Sequence, residues 1–212
     1  MTDPKRKYYE KRANVLIKNL HSRHLEACYC ADKAEALKKA LEWIPAGSSG
    51  GWGGAMSAQQ IGLLDTVRTG DYRALARERV ATPEERKAIM KQCLGADVFI
   101  TGANALRLDG QMVNIDGNGN RVAAIVYGPE SVIVIAGMNK VMDSLDAAVE
   151  RSRTVAAPQN KQRFDSRTPS EVTGACADCK SDGCICYQIL ITRNCNPPGR
   201  IKFILVGEEL GL

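Results

Sequence analysis

Cys176, Cys179, Cys184 and Cys186 fall within eleven residues, separated in turn by two, four and one intervening positions. Thiolates this close on a short turn can converge on one metal ion or cluster without long-range ordering of the chain. Iron–sulfur and zinc are the candidate occupants, and the spacing does not choose between them. A disulfide pair and unliganded thiols are the alternative readings.

Four further stretches carry chemistry of another kind. Gly47–Ser57 holds Gly50, Gly51, Gly53 and Gly54, whose unobstructed N–H groups ahead of a helix form a candidate anion cradle that includes Ser57. It lacks the Gly-Lys-Ser/Thr of a phosphate loop and does not fit the dinucleotide fingerprint, and glycines that only permit a tight turn are the plainer reading. Asp116, Gly117, Asn118, Gly119, Asn120 and Arg121 combine a carboxylate, two amides and a guanidinium in six residues. Arg121 suits a carboxylate or phosphate and Asp116 is the candidate general base, although Asp, Asn and Gly also serve turns for conformational reasons.

Gly137, Asn139 and Lys140 follow the apolar run Val132–Ala136, and Thr101, Gly102 and Asn104 follow another. Ligands of open α/β sheets bind at the carboxyl ends of such strands, so Lys140 is a candidate anion contact or base. A solvated loop lysine is its plainer reading. His21 and His24 both lie near the end of the first helix, which argues against a Ser-His-Asp triad.

The elements that must position these residues are legible in outline. Ala13, Leu16, Ile17 and Leu20 predict an amphipathic helix, residues 25–30 a strand, and Lys33–Trp43 a helix opened by Asp32 and stopped by Pro45 and Gly47. A helix over Gln59–Arg68 and another from the capping box at Thr82–Glu85 follow. Strands are expected at 97–101, at 105–108 and 111–115 around the Asp109-Gly110 turn, at 121–127, at 131–136, at 187–193 and at 200–206. Asp143 and Asp146 predict a helix carrying Leu145, Ala148, Val149 and Val155 and ending before Pro158. Residues 159–186 read as a polar, irregular excursion from a single domain spanning 1–212.

With 212 residues, 44% of them hydrophobic and 25% charged, the chain suits one soluble α/β domain. No apolar run reaches the roughly 18–20 residues of a membrane helix. The net charge of +5 is dispersed, which speaks against nucleic-acid binding. Met1–Tyr8 turns charged rather than apolar, so a cytoplasmic, reducing location is the expectation and structural disulfides are disfavoured. Cys28, Cys30, Cys93 and Cys195 read as core or incidental thiols.

In order, residues 50–57, Thr101–Asn104, Asp116–Ala124, Gly128-Pro129, Ala136–Lys140, Ala157-Pro158 and Gly207–Gly211 resemble the lactate-utilisation (LUD) domain family in its compact stand-alone form. The resemblance implies a NagB/RpiA/CoA-transferase-like fold, a central sheet flanked by helices, with the cysteine-rich excursion near its end. It further implies a role in lactate or organic-acid metabolism, a small anionic metabolite as ligand, and iron–sulfur oxidoreductases as partners. A homodimer is consistent with the habits of that fold. The family's cysteine pattern begins at a position occupied here by Ser170, while Cys184 stands two residues before Cys186, so Cys184 is the candidate replacement ligand. An isomerase or transferase acting on a phosphosugar or CoA ester, and a non-catalytic electron-transfer or assembly subunit, are the rival functions.

Overall fold

Residues 3–212 are described by the structure, a computed structural model, and Met1 and Thr2 of the charged opening stretch lie outside them. Helix α1 (Pro4–Ser22) buries Tyr9, Ala13, Leu16 and Leu20 at the three- and four-residue intervals their spacing predicts. Strand β1 (Glu26–Cys30) and helix α2 (Lys33–Glu42) follow as expected. Asp32 caps α2, its carboxylate accepting from the Glu35 N–H at 3.0 Å.

The first departure is the glycine-rich stretch. Ser49–Gly53 is a strand, β2, buried along its whole length. Two helices, α3 (Met56–Gln60) and α4 (Leu63–Thr69), replace the single helix expected over Gln59–Arg68, because Gly62 breaks the run with φ +80°. Missing side chains let the neighbours pack tightly on β2. A Cβ on Gly51 would lie 2.6 Å from Cys93 Sγ, and one on Gly50 3.1 Å from Val67 Cγ1 in α4. Glycine here serves close approach rather than a turn.

Strand β3 (Arg73–Leu75) leads to helix α5 (Pro83–Gln92), where Thr82 and Glu85 form the predicted capping box. Strands β4 (Val98–Gly102), β5 (Ala105–Arg107) and β6 (Met112–Asp116) come next, the last two antiparallel around Gly110. Residues 121–127, expected as a strand, form helix α6 (Asn120–Val126). The Asp116 carboxylate nucleates it by accepting from the N–H groups of Arg121 and Val122 at 3.0 and 3.2 Å. Arg121, Val122, Ala124 and Ile125 then share one buried helical face.

After strands β7 (Ser131–Gly137) and β8 (Val141–Met142), helix α7 (Leu145–Arg151) is capped by Ser144 rather than by either aspartate. Asp143 instead pairs with Arg12 at 2.7 Å. The helix does not stop before Pro158: a π-helical turn over Ser152–Ala156 carries it into α8 (Ala157–Lys161). Pro158 sits in the first turn of α8, directly after the π-helical turn. Helix α9 (Pro169–Thr173) gives the polar excursion one ordered turn, and strands β9 (Gln188–Thr192) and β10 (Ile201–Val206) close the fold.

The order β1-β10-β7-β4-β2-β3 makes a six-stranded, wholly parallel sheet, and β8-β5-β6-β9 a second sheet. The central sheet flanked by helices that the resemblance implied is thus present. In β7 alternate residues serve different cores: Val132 and Val134 face the cluster with Leu16, Leu20 and Phe203, while Ile133 and Ile135 face the one with Ala36, Leu63 and Ile100. Burial on both faces is why this run is apolar throughout, each such side chain contributing about 1.5–3 kcal/mol. Parallel pairing sends the carboxyl ends of β2, β4 and β7 to one edge. There β5 continues β4 after two residues and β8 follows β7 after three, so the second sheet frames that edge.

Candidate functional site

A crevice of about 1010 Å³ opens at the carboxyl edge of the parallel sheet. Gly53 and Gly54 reach it from β2, Asn104 from β4, Asp116, Gly117, Asn120 and Arg121 from the β6–α6 junction, and Lys140 from the turn after β7. Four separate stretches of the sequence therefore meet in one site.

Arg121 is 8% exposed and its guanidinium donates to Asn104 Oδ1 at 3.0 Å and to the Ile115 carbonyl. Burial pulls it below its ordinary pKa, opposed by the nearby Asp116 charge. Gly54, at φ +57°, passes beneath this side chain; a Cβ there would lie 2.8 Å from Arg121 Cδ. Lys140, 3% exposed, donates to the Ala103 carbonyl at 2.9 Å and to Ser57 Oγ at 3.4 Å. Burial, aided by the Arg151 and Arg121 charges, lowers its pKa to about 7. Among the described residues, neither Arg121 nor Lys140 forms an ion pair with an aspartate or glutamate.

Asp116 is occupied differently from a free base. Its oxygens accept from the N–H groups of Gly117, Arg121 and Val122, which fixes the start of α6 and aims Arg121. The remaining expected site residues support the crevice without lining it. Thr101 Oγ1 donates to the Gly53 carbonyl at 2.8 Å and ties β4 to β2, and Ser57 receives Lys140. Gly119 supplies the φ of +80° that turns the chain into α6. Gly137 leaves room for Leu210, whose N–H donates to Asn139 Oδ1 at 3.2 Å.

Arg77, Arg86 and Arg163 add three cations to the crevice lining, which also holds the acids Glu78, Asp116 and Asp182. No motif marked these arginines, because they converge only through the packing of separate elements. Arg151 was missed for the same reason: it reaches from α7 to the carbonyls of Asn104 and Leu212. His21 and His24 are exposed and distant in role.

The four clustered cysteines line a second cavity of about 180 Å³ together with Lys161 and Arg153. All eight cysteines are free thiols. Burial, reinforced by Cys184, Cys176 and Cys179, raises Cys186 to about 12, while the Ser181 hydroxyl, donating to Cys179 Sγ at 3.5 Å, lowers Cys179. Four thiols around one cavity are a donor set of the right kind and number for zinc or an iron–sulfur cluster. In the arrangement described, however, no three His, Cys, Asp or Glu side chains among the described residues stand close enough to hold a metal ion. Ile115, Cys184 and Ile185 line both cavities, so the cysteine loop is also a wall of the crevice. Of the other thiols, Cys30, Cys93 and Cys195 are buried and Cys28 half-buried.

An α/β domain with a cationic crevice at the carboxyl edge of a parallel sheet is the class that fold and site define. Comparison with known families is specific: the LUD domain matches residues 13–206, and the chain belongs to that family. Among solved structures it is similar to a DUF162 family protein from Deinococcus radiodurans, with 13% identity over 95% of this chain and 98% of that one and a TM-score of 0.53. That likeness shows a shared fold. It is also similar to eIF2B beta from Chaetomium thermophilum (16% identity, 54% of this chain, 44% of that one, TM-score 0.38) and to 5-methylthioribose 1-phosphate isomerase from Pyrococcus horikoshii OT3 (14%, 76%, 51%, 0.38). No curated protein matches the chain. Among the described residues no helix is long and apolar enough to cross a membrane.

Proposed function

We propose that this LUD-domain protein serves lactate or related organic-acid metabolism by binding a small anionic metabolite in the sheet-edge crevice. The observation that carries the reading is the pair of buried basic side chains, Arg121 and Lys140, that line the crevice without an ion pair to a carboxylate among the described residues. Burying an uncompensated charge is costly, and an anionic ligand would offset it. Arg121 supplies a planar fork of donors suited to a carboxylate, and Asn104, which accepts from it, orients the fork.

Calorimetric titration with lactate, pyruvate, a sugar phosphate and a CoA ester tests this. At least one anion is expected to bind, and Arg121→Gln is expected to weaken it about ten- to a hundredfold, the usual worth of a charged hydrogen bond. Binding to none of them, or binding indifferent to Arg121→Gln, would refute the reading.

Cys176, Cys179, Cys184 and Cys186 are proposed to hold a metal, iron–sulfur or zinc, with Cys184 standing in for the thiol that Ser170 lacks. A cluster would supply electron transfer and suit iron–sulfur oxidoreductases as partners, whereas zinc would staple a loop poor in apolar residues. Either requires the thiols to draw closer than they stand. Metal analysis of protein purified without oxygen is expected to find stoichiometric metal in the wild type and a large loss in Cys184→Ala. Equal metal content in the two would remove Cys184 from the ligand set.

A further inference from the structure

Lys140 offers the crevice a reactive amine as well as a basic group. It is buried, lines the crevice and, among the described residues, forms no ion pair with a carboxylate; its amine donates to the Ala103 carbonyl and Ser57 Oγ, and a Cβ on Gly211 would lie 2.6 Å from it. Arg121 binds the adjoining residue, its Nη2 donating to Asn104 Oδ1. Amine and guanidinium therefore abut consecutive residues of one segment, Ala103-Asn104, and face the same crevice. A small ligand with an anionic group for the guanidinium and a neighbouring group that an amine can use would suit this pairing.

We infer that Lys140 forms an imine with the carbonyl carbon of a small 2-oxo carboxylate whose carboxylate is held by Arg121. This rests on the anionic-crevice reading and deepens it by naming the ligand's chemistry. The Lys140 nitrogen adds to the carbonyl carbon, forming the N–C bond of a carbinolamine. The former carbonyl oxygen then leaves as water, its two protons coming in net from the amine, and the imine nitrogen takes one proton from solvent. Nothing is oxidised or reduced. Ser57 Oγ, at 3.4 Å from Nζ, is placed to relay the protons. Because the amine titrates near neutrality, a substantial part of it is uncharged under ordinary conditions.

Pyruvate, the simplest stable 2-oxo acid bearing a methyl group, is the probe, with lactate as the analogue lacking a carbonyl. Calorimetry measures binding of both, and a parallel sample is treated with cyanoborohydride, which reduces an imine to a stable amine, before peptide mass spectrometry. The expected result is one reduced pyruvate adduct, located on Lys140, with none from lactate. Labelling should rise with pH through about 7. Lys140→Arg, whose folding is checked by thermal melting, should lose the adduct. Pyruvate that binds without labelling Lys140, or that labels lysines indiscriminately, overturns the imine and leaves the anion crevice standing. If neither pyruvate nor lactate, nor the sugar phosphate and CoA ester above, binds, the crevice reading falls and the imine with it.

Discussion

Gly54→Ala is expected to cost about 2–5 kcal/mol of stability and to abolish anion binding at the crevice. Two penalties combine: an L side chain in the left-handed region costs roughly 1–2 kcal/mol, and forcing a methyl group into a packed site costs roughly 1–3 kcal/mol. At φ +57° the new Cβ would meet Arg121 Cδ at 2.8 Å and its guanidinium more closely still. Arg121 would have to leave Asn104 and the Ile115 carbonyl, and with them the position from which it faces the crevice. Denaturant unfolding combined with anion titration checks both effects. Gly95→Ala is the control, since a Cβ there meets nothing within 4 Å, and a change within about 0.5 kcal/mol is expected. Equal unfolding midpoints for the two variants would show that the Arg121–Gly54 contact constrains nothing.

The second large effect is on the pH dependence of stability. Lys140 titrates near 7 in the folded chain against an ordinary 10.5, so between those values the unfolded chain binds the extra proton. Stability from this group therefore rises as pH increases through 7 toward 10, and is lowest below 7, where the buried amine must carry charge. From pH 7 to 9 the gain is about 2–3 kcal/mol, at roughly 1.4 kcal/mol for each unit of separation. In Lys140→Met that rise should be absent and the protein should be more stable at pH 6 than the wild type. Cys186 works in the opposite sense, since a thiol raised to about 12 loses stability to the unfolded chain once the latter ionises near 8.5. Subtracting the variant's profile from that of the wild type isolates the lysine. Parallel profiles would mean that Lys140 keeps its ordinary affinity for protons.

The fold was legible wherever one residue pattern served one purpose. The periodicity of Leu16 and Leu20, the capping box at Thr82 and the two-faced apolar run of β7 each carry their structure locally. Misreadings arose where a residue's role is set from a distance. Glycines of β2 look like a turn until Cys93 and Val67 are seen pressing on them. The β-branched residues after Asn120 look like a strand until the Asp116 carboxylate is seen organising the first turn of α6. For the crevice, strand ends flagged Asn104 and Lys140, because ends of parallel strands share an edge, and the run of donors from Asp116 flagged Arg121. The arginines at 77, 86, 151 and 163 carried no such signal. Asp116 was chosen for its chemistry, and its three backbone partners, which tie it to the start of α6, carried no signal in the sequence.

The wall formed by Ile115, Cys184 and Ile185 has a thermodynamic consequence. If the proposed metal tightens the cysteine loop and so alters the shape offered to a ligand on the other side, a ligand's effect on that wall is in turn felt by the thiols. Linkage makes the exchange symmetrical: if metal alters metabolite affinity by some factor, metabolite must alter metal affinity by the same factor. A chelator would then strip metal more slowly from protein saturated with its metabolite whenever metal strengthens metabolite binding, and faster in the opposite case. The loop would in that way report the state of the crevice to any partner that reads the cysteines.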